Sequence, residues 1–368
     1  MSILESVVIG AGQAGLSTSY HLARLGIEHV VLDSDAEAGG AWRHRWDALT
    51  MQDVHGVAEL PGAVPPPRDT ARANTAVPAY FAEYERVHAL PIIRPVRVDQ
   101  VTDDDGILVV HAGDRRWRTR TLVNATGTWT QPFMPHYPGM ETFLGEQLHT
   151  VDYPGPEHFR GKRVLVVGGG ASAVQFLGAL APITDTLWAT RREPVWMTSD
   201  FTPEAGAAAV ALVEQRVAQG LPPQSVVSVT GLALRAQERE AERRGAYAAR
   251  RPMFSRIEPD GVRWADGAFE PVDVILWATG FRPAITHLAP LHLRSEAGGI
   301  QLDRHGRGTT AVRDPRVQLV GYGPSASTIG ANRAGRTAAR GVQRQLAMSG
   351  ELQQAEPMVG TRQATSLR

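Results

Sequence analysis

The chain has 368 residues, 43% of them hydrophobic and 21% charged, which is enough for about two globular domains. Lysine plus arginine equals aspartate plus glutamate at 38 each, so no broad field favours nucleic acid or an anionic membrane as a partner. The chain has no cysteine, which excludes disulfides, thiolate metal sites and redox-active thiol pairs. Because there is neither an apolar run long enough to cross a bilayer nor a leader-like segment before the first strand, we expect a cytoplasmic protein. We also expect no metal site.

The first predicted elements are a strand, a glycine-rich turn and a helix. Residues 7–9 form a short β-rich run, and apolar residues recur at helical spacing over residues 14–25. The turn between them contains Gly10, Gly12 and Gly15. Such a turn lets the backbone approach a pyrophosphate closely and directs the positive end of a helix at the phosphates. The pattern therefore predicts a dinucleotide site.

A second strand over residues 30–33 completes this βαβ unit. Asp33 ends the strand, at a position where a carboxylate can accept hydrogen bonds from an adenosine ribose. The alternative is an aspartate that only starts a turn. Three alternating runs follow, and they predict a small β-meander at residues 96–101, 107–111 and 117–123.

The second half of the chain repeats the plan. A strand at residues 164–167 leads into another glycine-rich turn, followed by a helix at 172–180 and a strand at 186–189. The residues of this turn that we expect at a second dinucleotide are Gly168, Gly170, Ser172 and Ala173. A hairpin around Asp266-Gly267 is predicted to join residues 262–264 to residues 272–277.

Each half of the chain also ends in a strand that runs into an Ala-Thr-Gly segment. The two segments comprise Ala125, Thr126, Gly127, Ala278, Thr279 and Gly280. They follow the two glycine turns at similar sequence separations, which indicates an internal duplication.

We predict an α/β protein with two Rossmann-like dinucleotide-binding domains, the second inserted into the first. The first domain spans residues 1–153 and 281–352, because residues 317–320 supply a strand that its βαβ unit lacks. The second domain spans residues 154–280.

Two predicted helices interrupt the second domain. They cover residues 203–219 and 235–244 and form an insertion over about residues 201–251, which is expected to shape access to the site. Residues 353–368 are expected to form a disordered tail.

Three segments resemble signatures of the class B flavin monooxygenases, the group that contains flavin-containing and Baeyer-Villiger monooxygenases. The linker Phe143-Leu-Gly145-Glu-Gln-Leu-His149-Thr-Val-Asp-Tyr153 matches all four specified positions of the family pattern F-x-G-x-x-x-H-x-x-x-(W/Y/F). Residues 276–281 resemble the family's aromatic-ended Ala-Thr-Gly segment. Gly40 and Trp42 lie in a stretch similar to its Gly-Gly-x-Trp segment, which passes beside the flavin ring.

This resemblance implies that the N-terminal unit binds FAD and the inserted unit binds NADPH. It implies that Gly323 and Ile329 belong to a returning segment whose backbone amides meet the pyrimidine edge of the flavin. Trp42, Trp46 and Tyr322 are candidates to lie against the isoalloxazine ring, with core packing as the alternative for each.

The sequence also departs from the family pattern. Ala171 stands where the family often has asparagine, and the asparagine that several N-oxygenating members place near the flavin is not identifiable. Residues 51–55 occupy that region, so Gln52 and His55 are the candidates to hydrogen-bond a flavin peroxide or substrate. His149 is expected either to orient NADPH or to lock the linker as the two units rotate.

Arg191 and Arg192 follow the strand at residues 186–189, where NAD-binding folds carry a carboxylate. Guanidinium donors match a 2′-phosphate, so we predict that NADPH is preferred over NADH. Ala173 at the third position of the turn is frequent where NADPH is used. The alternative is two surface arginines after a strand.

These features predict an NADPH- and O2-dependent flavoprotein monooxygenase that oxygenates a small amine or sulfide through a flavin C4a-hydroperoxide. Two alternatives stay open: an NAD(P)H:acceptor flavin oxidoreductase without oxygen transfer, and a non-catalytic nucleotide-binding redox sensor. The substrate and the choice among N-, S- and Baeyer-Villiger oxygenation are not written in the sequence. The oligomeric state is equally open, a homodimer included.

Overall fold

Two β-sheets with parallel cores organise the chain in the computed structural model. The structure describes residues 2–52, 54, 57, 59–197, 203–224, 231–232, 234, 236–303, 308–326 and 328–355. The strands are β1 (Ile3–Ile9), β2 (His29–Leu32), β3 (Ile92–Ile93), β4 (Gln100–Asp104), β5 (Ile107–Ala112), β6 (Arg115–Asn124), β7 (Glu146–His149), β8 (Arg163–Val167), β9 (Asp185–Thr190), β10 (Arg250–Pro252), β11 (Arg256–Glu258), β12 (Gly261–Arg263), β13 (Phe269–Pro271), β14 (Val274–Trp277) and β15 (Val317–Leu319). The α-helices are α1 (Gln13–Arg24), α2 (Ala73–Val87), α3 (Ala171–Leu180), α4 (Pro203–Ala218), α5 (Ala236–Arg243) and α6 (Thr328–Ala355).

The first sheet has the strand order β3-β2-β1-β6-β5-β4, and β15 also pairs with β6. Strand β6 has two roles because it is ten residues long. Its first half pairs antiparallel with β5, and its second half pairs parallel with β1 and β15. The predicted meander is therefore continuous with the parallel part of this sheet, and the predicted return of residues 317–320 to the sheet of the N-terminal βαβ unit is confirmed.

The second sheet has the order β10-β9-β8-β14-β7, with every pair parallel. Together the two sheets confirm the predicted α/β class with two Rossmann-like units, here called the first and the second unit. Strand β7 joins the second sheet although it precedes the domain boundary predicted at residue 153. The linker signature thus begins the second unit and does not end the first.

The predicted hairpin has a different second strand. Strand β12 pairs with β13, which spans Phe269–Pro271, whereas residues 274–277 form β14 and pair in parallel with β8. The four side chains of β14 are all buried, as is typical of a strand covered on both faces of a parallel sheet. The Asp266-Gly267 turn correctly indicates a hairpin, but the prediction wrongly included the apolar residues 274–277 in its second strand.

Both faces of the first sheet are covered, which explains its continuous apolar strands. Val8 lies in a buried cluster with Leu16 of α1 and Val320, whereas Val7 lies in a second buried cluster with Leu319. Alternate residues of β1 therefore face opposite cores. Because β1, β2 and the second half of β6 run parallel, their carboxyl ends lie at the same edge of the sheet.

The two predicted helices of the insertion pack on different units. Val217 of α4 lies in the core of the first unit, beside Gly323. Ala241 of α5 lies in the core of the second unit, and Tyr247 just after it donates a hydrogen bond to the carbonyl of Val174 in α3 at 3.0 Å. The insertion is thus divided between the two units.

Helix α6 closes the described chain. It continues to residue 355, so residues 353–355 are helical and do not belong to the predicted tail, whose remaining residues 356–368 lie outside the described residues. Across the described ranges, no helix combines the length and the apolar character that a bilayer crossing requires.

Candidate functional site

The first glycine turn uses each of its three glycines differently. Gly10 has a φ of +100°, and a Cβ there would lie 2.7 Å from the carbonyl oxygen of Ala125. A Cβ on Gly15 would overlap the carbonyl of Gly10, so α1 and β1 can meet this closely only with glycine at that position. A Cβ on Gly12 would meet no atom within 4 Å, because this residue faces open space at the start of α1. That space is where a diphosphate can meet the helix N-terminus.

The second glycine turn repeats this arrangement. Gly168 has a φ of +140°, and a Cβ there would overlap the carbonyl of Ala278. Gly170, like Gly12, has nothing within 4 Å of its Cβ position, and Ala173 is fully buried at the position of the third glycine. Ser172 lies in the first turn of α3 and is partly buried.

The Ala-Thr-Gly segments lie directly against the two turns. The backbone N–H of Ala125 donates to the carbonyl of Ile9 at 2.8 Å, and that of Ala278 donates to the carbonyl of Val167 at 2.8 Å. The same residue type therefore closes the same strand end in both units. The indole N–H of Trp188 adds a hydrogen bond to the carbonyl of Gly168 at 2.8 Å, a contact that the sequence did not predict.

A cleft of about 750 Å³ opens at the carboxyl ends of β1, β2 and β6. The predicted residues that line it are Gly10, Gly12, Asp33, Gly40, Trp42, Ala125, Thr126 and Gly127. The returning segment contributes Gly321, Ser325 and Ala326. The residues present therefore fit a dinucleotide, with open space at the helix N-terminus and a carboxylate at the end of β2.

Asp33 is buried and ties the turn to the neighbouring strand. Its carboxylate accepts a hydrogen bond from the N–H of Ala11 and another, at 3.0 Å, from the N–H of Asp35. Arg94 lies 3.6 Å from Asp33 and makes two hydrogen bonds to Glu85, at 2.7 and 2.8 Å. A carboxylate has about four acceptor positions, so Asp33 retains capacity for ribose hydroxyls. Neither Arg94 nor Glu85 was predicted, because both lie far from the glycine turn in sequence.

Several predicted site residues lie elsewhere. The side chain of Gln52 is exposed and does not line the cleft, and its N–H donates to the carbonyl of Asp69 at 2.9 Å. Gly323 packs beside Val217 of α4 and is not part of the cleft lining. His55 lies outside the described residues, as does the side chain of Ile329, whose backbone belongs to α6.

Two of the three aromatic candidates for the flavin ring are core residues. The ring of Trp46 lies 5.3 Å from that of Phe176 and 5.7 Å from that of Tyr153, in the core of the second unit. The hydroxyl of Tyr322 accepts a hydrogen bond from the N–H of Ile300 at 2.9 Å within the core of the first unit. Of these three, Trp42 alone lines the cleft, because Trp46 packs against the core of the second unit and Tyr322 is buried in the core of the first.

Two segments connect the units, here called the first linker (residues 127–133) and the second linker (residues 280–284), and His149 contacts the second. Its Nε2 lies 3.0 Å from the carbonyl oxygen of Gly280, and its Nδ1 accepts from the N–H of Val151 at 3.3 Å. The ring is buried, and burial lowers the pKa of His149. Nε2 is therefore the donor of a neutral imidazole, and the edge of this ring packs against Phe281.

The two linkers form a short antiparallel ladder. The N–H of Phe133 donates to the carbonyl of Gly280 at 3.0 Å, and the N–H of Ala284 donates to the carbonyl of Gly127 at 2.9 Å. The threonines of the two Ala-Thr-Gly segments cross over: Thr126 donates to the carbonyl of Ala284 at 2.5 Å, and Thr279 donates to the carbonyl of Phe133. The threonine at the end of each unit thus makes a hydrogen bond to the linker that follows the other unit.

Aromatic rings and one arginine border the cleft beside these linkers. Trp129 of the first linker stacks on Phe281 of the second, with centroids 5.3 Å apart and planes at 24°. The guanidinium of Arg45 lies 4.2 Å from the centroid of Trp129 and 5.7 Å from that of Trp42. All four residues line the cleft.

His287 also lines the cleft and is connected to the first linker. Its Nε2 lies 2.7 Å from Oδ1 of Asn124, whose amide nitrogen donates to Thr126 at 3.0 Å. Burial lowers the pKa of His287 to about 4, so the ring is neutral at pH 7.

Three arginines lie at the end of β9 in the second unit. Arg191 and Arg192 are exposed. Arg250, on the neighbouring β10, donates to Thr190 at 3.1 Å and to Glu193 at 2.9 Å. The sequence did not predict Arg250, because nothing local reveals that β10 pairs with β9.

The comparisons with known proteins agree with this geometry. A family model described as pyridine nucleotide-disulphide oxidoreductase matches residues 7–221. A solved structure of a flavin-containing monooxygenase from Stenotrophomonas maltophilia is 36% identical, with a TM-score of 0.80 over 94% of this chain and 100% of that chain. A solved complex of OTEMO with FAD and NADP shares the fold at 17% identity and a TM-score of 0.62, over 95% of this chain and 86% of that one.

Curated relatives match part of the chain. The indole-3-pyruvate monooxygenase YUCCA1 of Oryza sativa subsp. japonica is 32% identical over 176 residues, covering 46% of this chain and 43% of that protein. The chain spans about half the length of the curated relatives it matches.

Proposed function

This chain belongs to the pyridine nucleotide-disulphide oxidoreductase family and to the flavin monooxygenases, and we propose that it uses NADPH and O2 to oxygenate a small substrate at nitrogen or sulfur. The observation that carries the proposal is the presence of two similar nucleotide-binding turns in one chain. Two glycine turns, each closed by an Ala-Thr-Gly segment, belong to units whose two linkers cross beside one cleft.

In the proposal, FAD occupies the first unit. The N-terminus of α1 at Gly12 meets the diphosphate, and Asp33 accepts hydrogen bonds from the adenosine ribose. The Gly40 and Trp42 segment and the returning Gly321 border the remainder of the cofactor.

NADPH occupies the second unit. Gly170 leaves the N-terminus of α3 open for its diphosphate. Arg191 and Arg192 are exposed and make no ion pair with any other described residue, so both are available to a 2′-phosphate. Glu193, the nearest acid in sequence, is ion-paired with Arg250 at 2.9 Å, which reduces its repulsion of a phosphate.

The chemistry supplied by bound FAD is hydride acceptance from NADPH, followed by transfer of one O2 oxygen atom to the substrate while the other leaves as water. The protein itself orients the two nucleotides and excludes water from the cleft. His149 acts as a positioning residue: it is buried and neutral, and it holds the linker at Gly280.

An NAD(P)H:acceptor oxidoreductase is the second candidate, because the same two nucleotide units serve both reactions. Disulfide chemistry within the chain is excluded for either candidate, since the chain has no cysteine. The name of the rice relative gives indole-3-pyruvate as its substrate, so aromatic 2-oxo acids belong in the substrate panel beside amines and sulfides.

The experiment that separates the candidates uses isotopic oxygen. FAD-loaded protein is mixed with NADPH, ¹⁸O2 and a panel of amines, sulfides and 2-oxo acids, and products are analysed by mass spectrometry while hydrogen peroxide is measured. Incorporation of one ¹⁸O atom into an amine or sulfide product supports the proposal, whereas label only in the product of a 2-oxo acid supports a monooxygenase but contradicts oxygenation at nitrogen or sulfur. NADPH oxidation with stoichiometric hydrogen peroxide and no labelled product across the panel contradicts it and favours the oxidoreductase.

A further inference from the structure

Arg45 occupies the part of the cleft that the two linkers border. It lies three residues after Trp42 in the chain, and its guanidinium carbon lies over the ring of Trp129, 4.2 Å from the ring centroid. Trp129 is in turn stacked on Phe281 of the other linker. Arg45 is therefore placed where the first unit meets both connections to the second unit.

The guanidinium has no counterion in the part of the chain that the structure describes. Its Nε is buried and has no hydrogen-bond partner there, and Arg45 makes no ion pair with a described carboxylate. Arg94 in the same unit differs, because Glu85 and Asp33 lie beside it. Burial lowers the pKa of Arg45 to about 10, so the side chain is still charged at neutral pH.

A partly buried charge without a counterion is costly, and the contact with a tryptophan ring offsets only part of that cost. The guanidinium is therefore free to pair with an anionic group that enters the cleft. The diphosphate of a dinucleotide already has the open N-terminus of α1 at Gly12. The surroundings of Arg45 are aromatic instead: its guanidinium lies near the rings of Trp42 and Trp129, and Phe281 stacks on Trp129.

We propose that Arg45 binds the carboxylate of the substrate, and that the substrate is an aromatic acid whose ring packs among Trp42, Trp129 and Phe281. A planar guanidinium can donate two parallel hydrogen bonds to a carboxylate, and the contact with the Trp129 ring restricts its movement. The inference rests on the proposed function only in placing the substrate in this cleft; the carboxylate site itself requires no turnover.

The test measures equilibrium binding to the FAD-loaded full chain without NADPH. Two sulfides of matched shape serve as probes: 4-(methylthio)benzoate, which carries a carboxylate, and methyl p-tolyl sulfide, which does not. Each is titrated by calorimetry into the unmodified protein, Arg45→Gln, Arg45→Lys and the control Arg86→Gln. Arg86 is an exposed residue of α2 paired with Glu83, so its replacement removes one positive charge away from the cleft.

The unmodified protein and Arg86→Gln should bind the acid at least about tenfold more tightly than the neutral sulfide, since a charged hydrogen-bonded pair contributes that much. Arg45→Gln should lose this preference, and Arg45→Lys should retain part of it, because the charge remains without the planar fork. The dissociation constant of the neutral sulfide should change by less than about twofold in Arg45→Lys, since charge and stacking volume are largely kept.

Three results would overturn the inference: no preference for the acid in the unmodified protein, equal losses for both probes in Arg45→Gln and Arg45→Lys, or loss of FAD from both variants. The last result would assign the guanidinium to the cofactor. A retained tenfold preference for the acid, together with no ¹⁸O in any product, would instead refute the monooxygenase proposal and leave the carboxylate site standing.

Discussion

Nε2 of His149 donates a hydrogen bond to the carbonyl oxygen of Gly280, 3.0 Å away, and so joins the linker signature to the second Ala-Thr-Gly segment. The ring also packs its edge against Phe281, which stacks on Trp129 of the first linker. A single buried imidazole therefore contacts the ladder that connects the two units. From this position we propose that His149 affects hydride transfer between the two nucleotides by positioning the linkers, without touching either nucleotide.

Replacing His149 tests this positioning role. His149→Ala should lower the free energy of unfolding by about 1–3 kcal/mol, because a buried hydrogen bond and ring packing are lost. It should also slow flavin reduction by NADPH about tenfold or more through misplacement of the nicotinamide. Urea unfolding and anaerobic stopped-flow reduction measure the two effects.

His149→Gln is the matched variant, because its amide can still donate to the carbonyl of Gly280. It should recover part of the reduction rate with the FAD content unchanged. Failure of glutamine to restore any rate, with normal stability, would indicate that the imidazole transfers a proton and is more than a positioning group.

Arg191→Ala tests the choice between the two nicotinamide cofactors. We expect KM for NADPH to rise about tenfold and KM for NADH to change by less than about twofold, because only the 2′-phosphate meets the guanidinium. Arg160→Ala is the control, an exposed arginine of the same unit paired with Glu157. Equal effects on both cofactors in steady-state kinetics would remove the assignment.

The three glycines of the first turn should respond differently to alanine. Gly12→Ala places a methyl in open space, so folding should be retained while FAD affinity falls by about 1–3 kcal/mol where the diphosphate would lie. Gly15→Ala overlaps the carbonyl of Gly10 and should destabilise the apoprotein by more than about 2 kcal/mol. Thermal unfolding of the apoprotein and FAD titration separate the two outcomes. A Gly12→Ala protein with unchanged FAD affinity would show that no diphosphate lies there.

His287 predicts how stability depends on pH. Its pKa is lowered by burial from 6.5 to about 4, so the unfolded chain binds this proton more readily than the folded protein. The stabilisation is complete above pH 6.5 and is lost as pH falls towards 4, by about 3 kcal/mol at most from this group. His287→Asn should flatten the decline of unfolding free energy over that window. Urea unfolding at several pH values measures the slope, with exposed His136→Gln as the control; an unchanged slope would contradict the assignment.

The sequence by itself determined the local chemistry of both nucleotide units. Gly10 and Gly15 are required by close contacts with a few neighbours, and Gly12 leaves the start of α1 open, so the spacing of the three glycines could be interpreted without a structure. The same is true of Gly168 and of the Ala-Thr-Gly segments, because strand, turn and helix are consecutive in the chain. The return of residues 317–320 was also predictable, since an apolar run without a partner has to complete a sheet.

The tertiary structure alone decided what depends on pairing between distant segments. Strand β14 pairs with β8 rather than with the preceding hairpin, α4 packs on the first unit, and Arg250 reaches the end of β9. Arg45 became a candidate binding residue only because the structure places it over Trp129 of the first linker. Hydrophobic periodicity predicts that one face of a helix or strand is buried, but it does not identify the element that packs against that face. These contacts therefore depend on tertiary packing and not on any local sequence pattern.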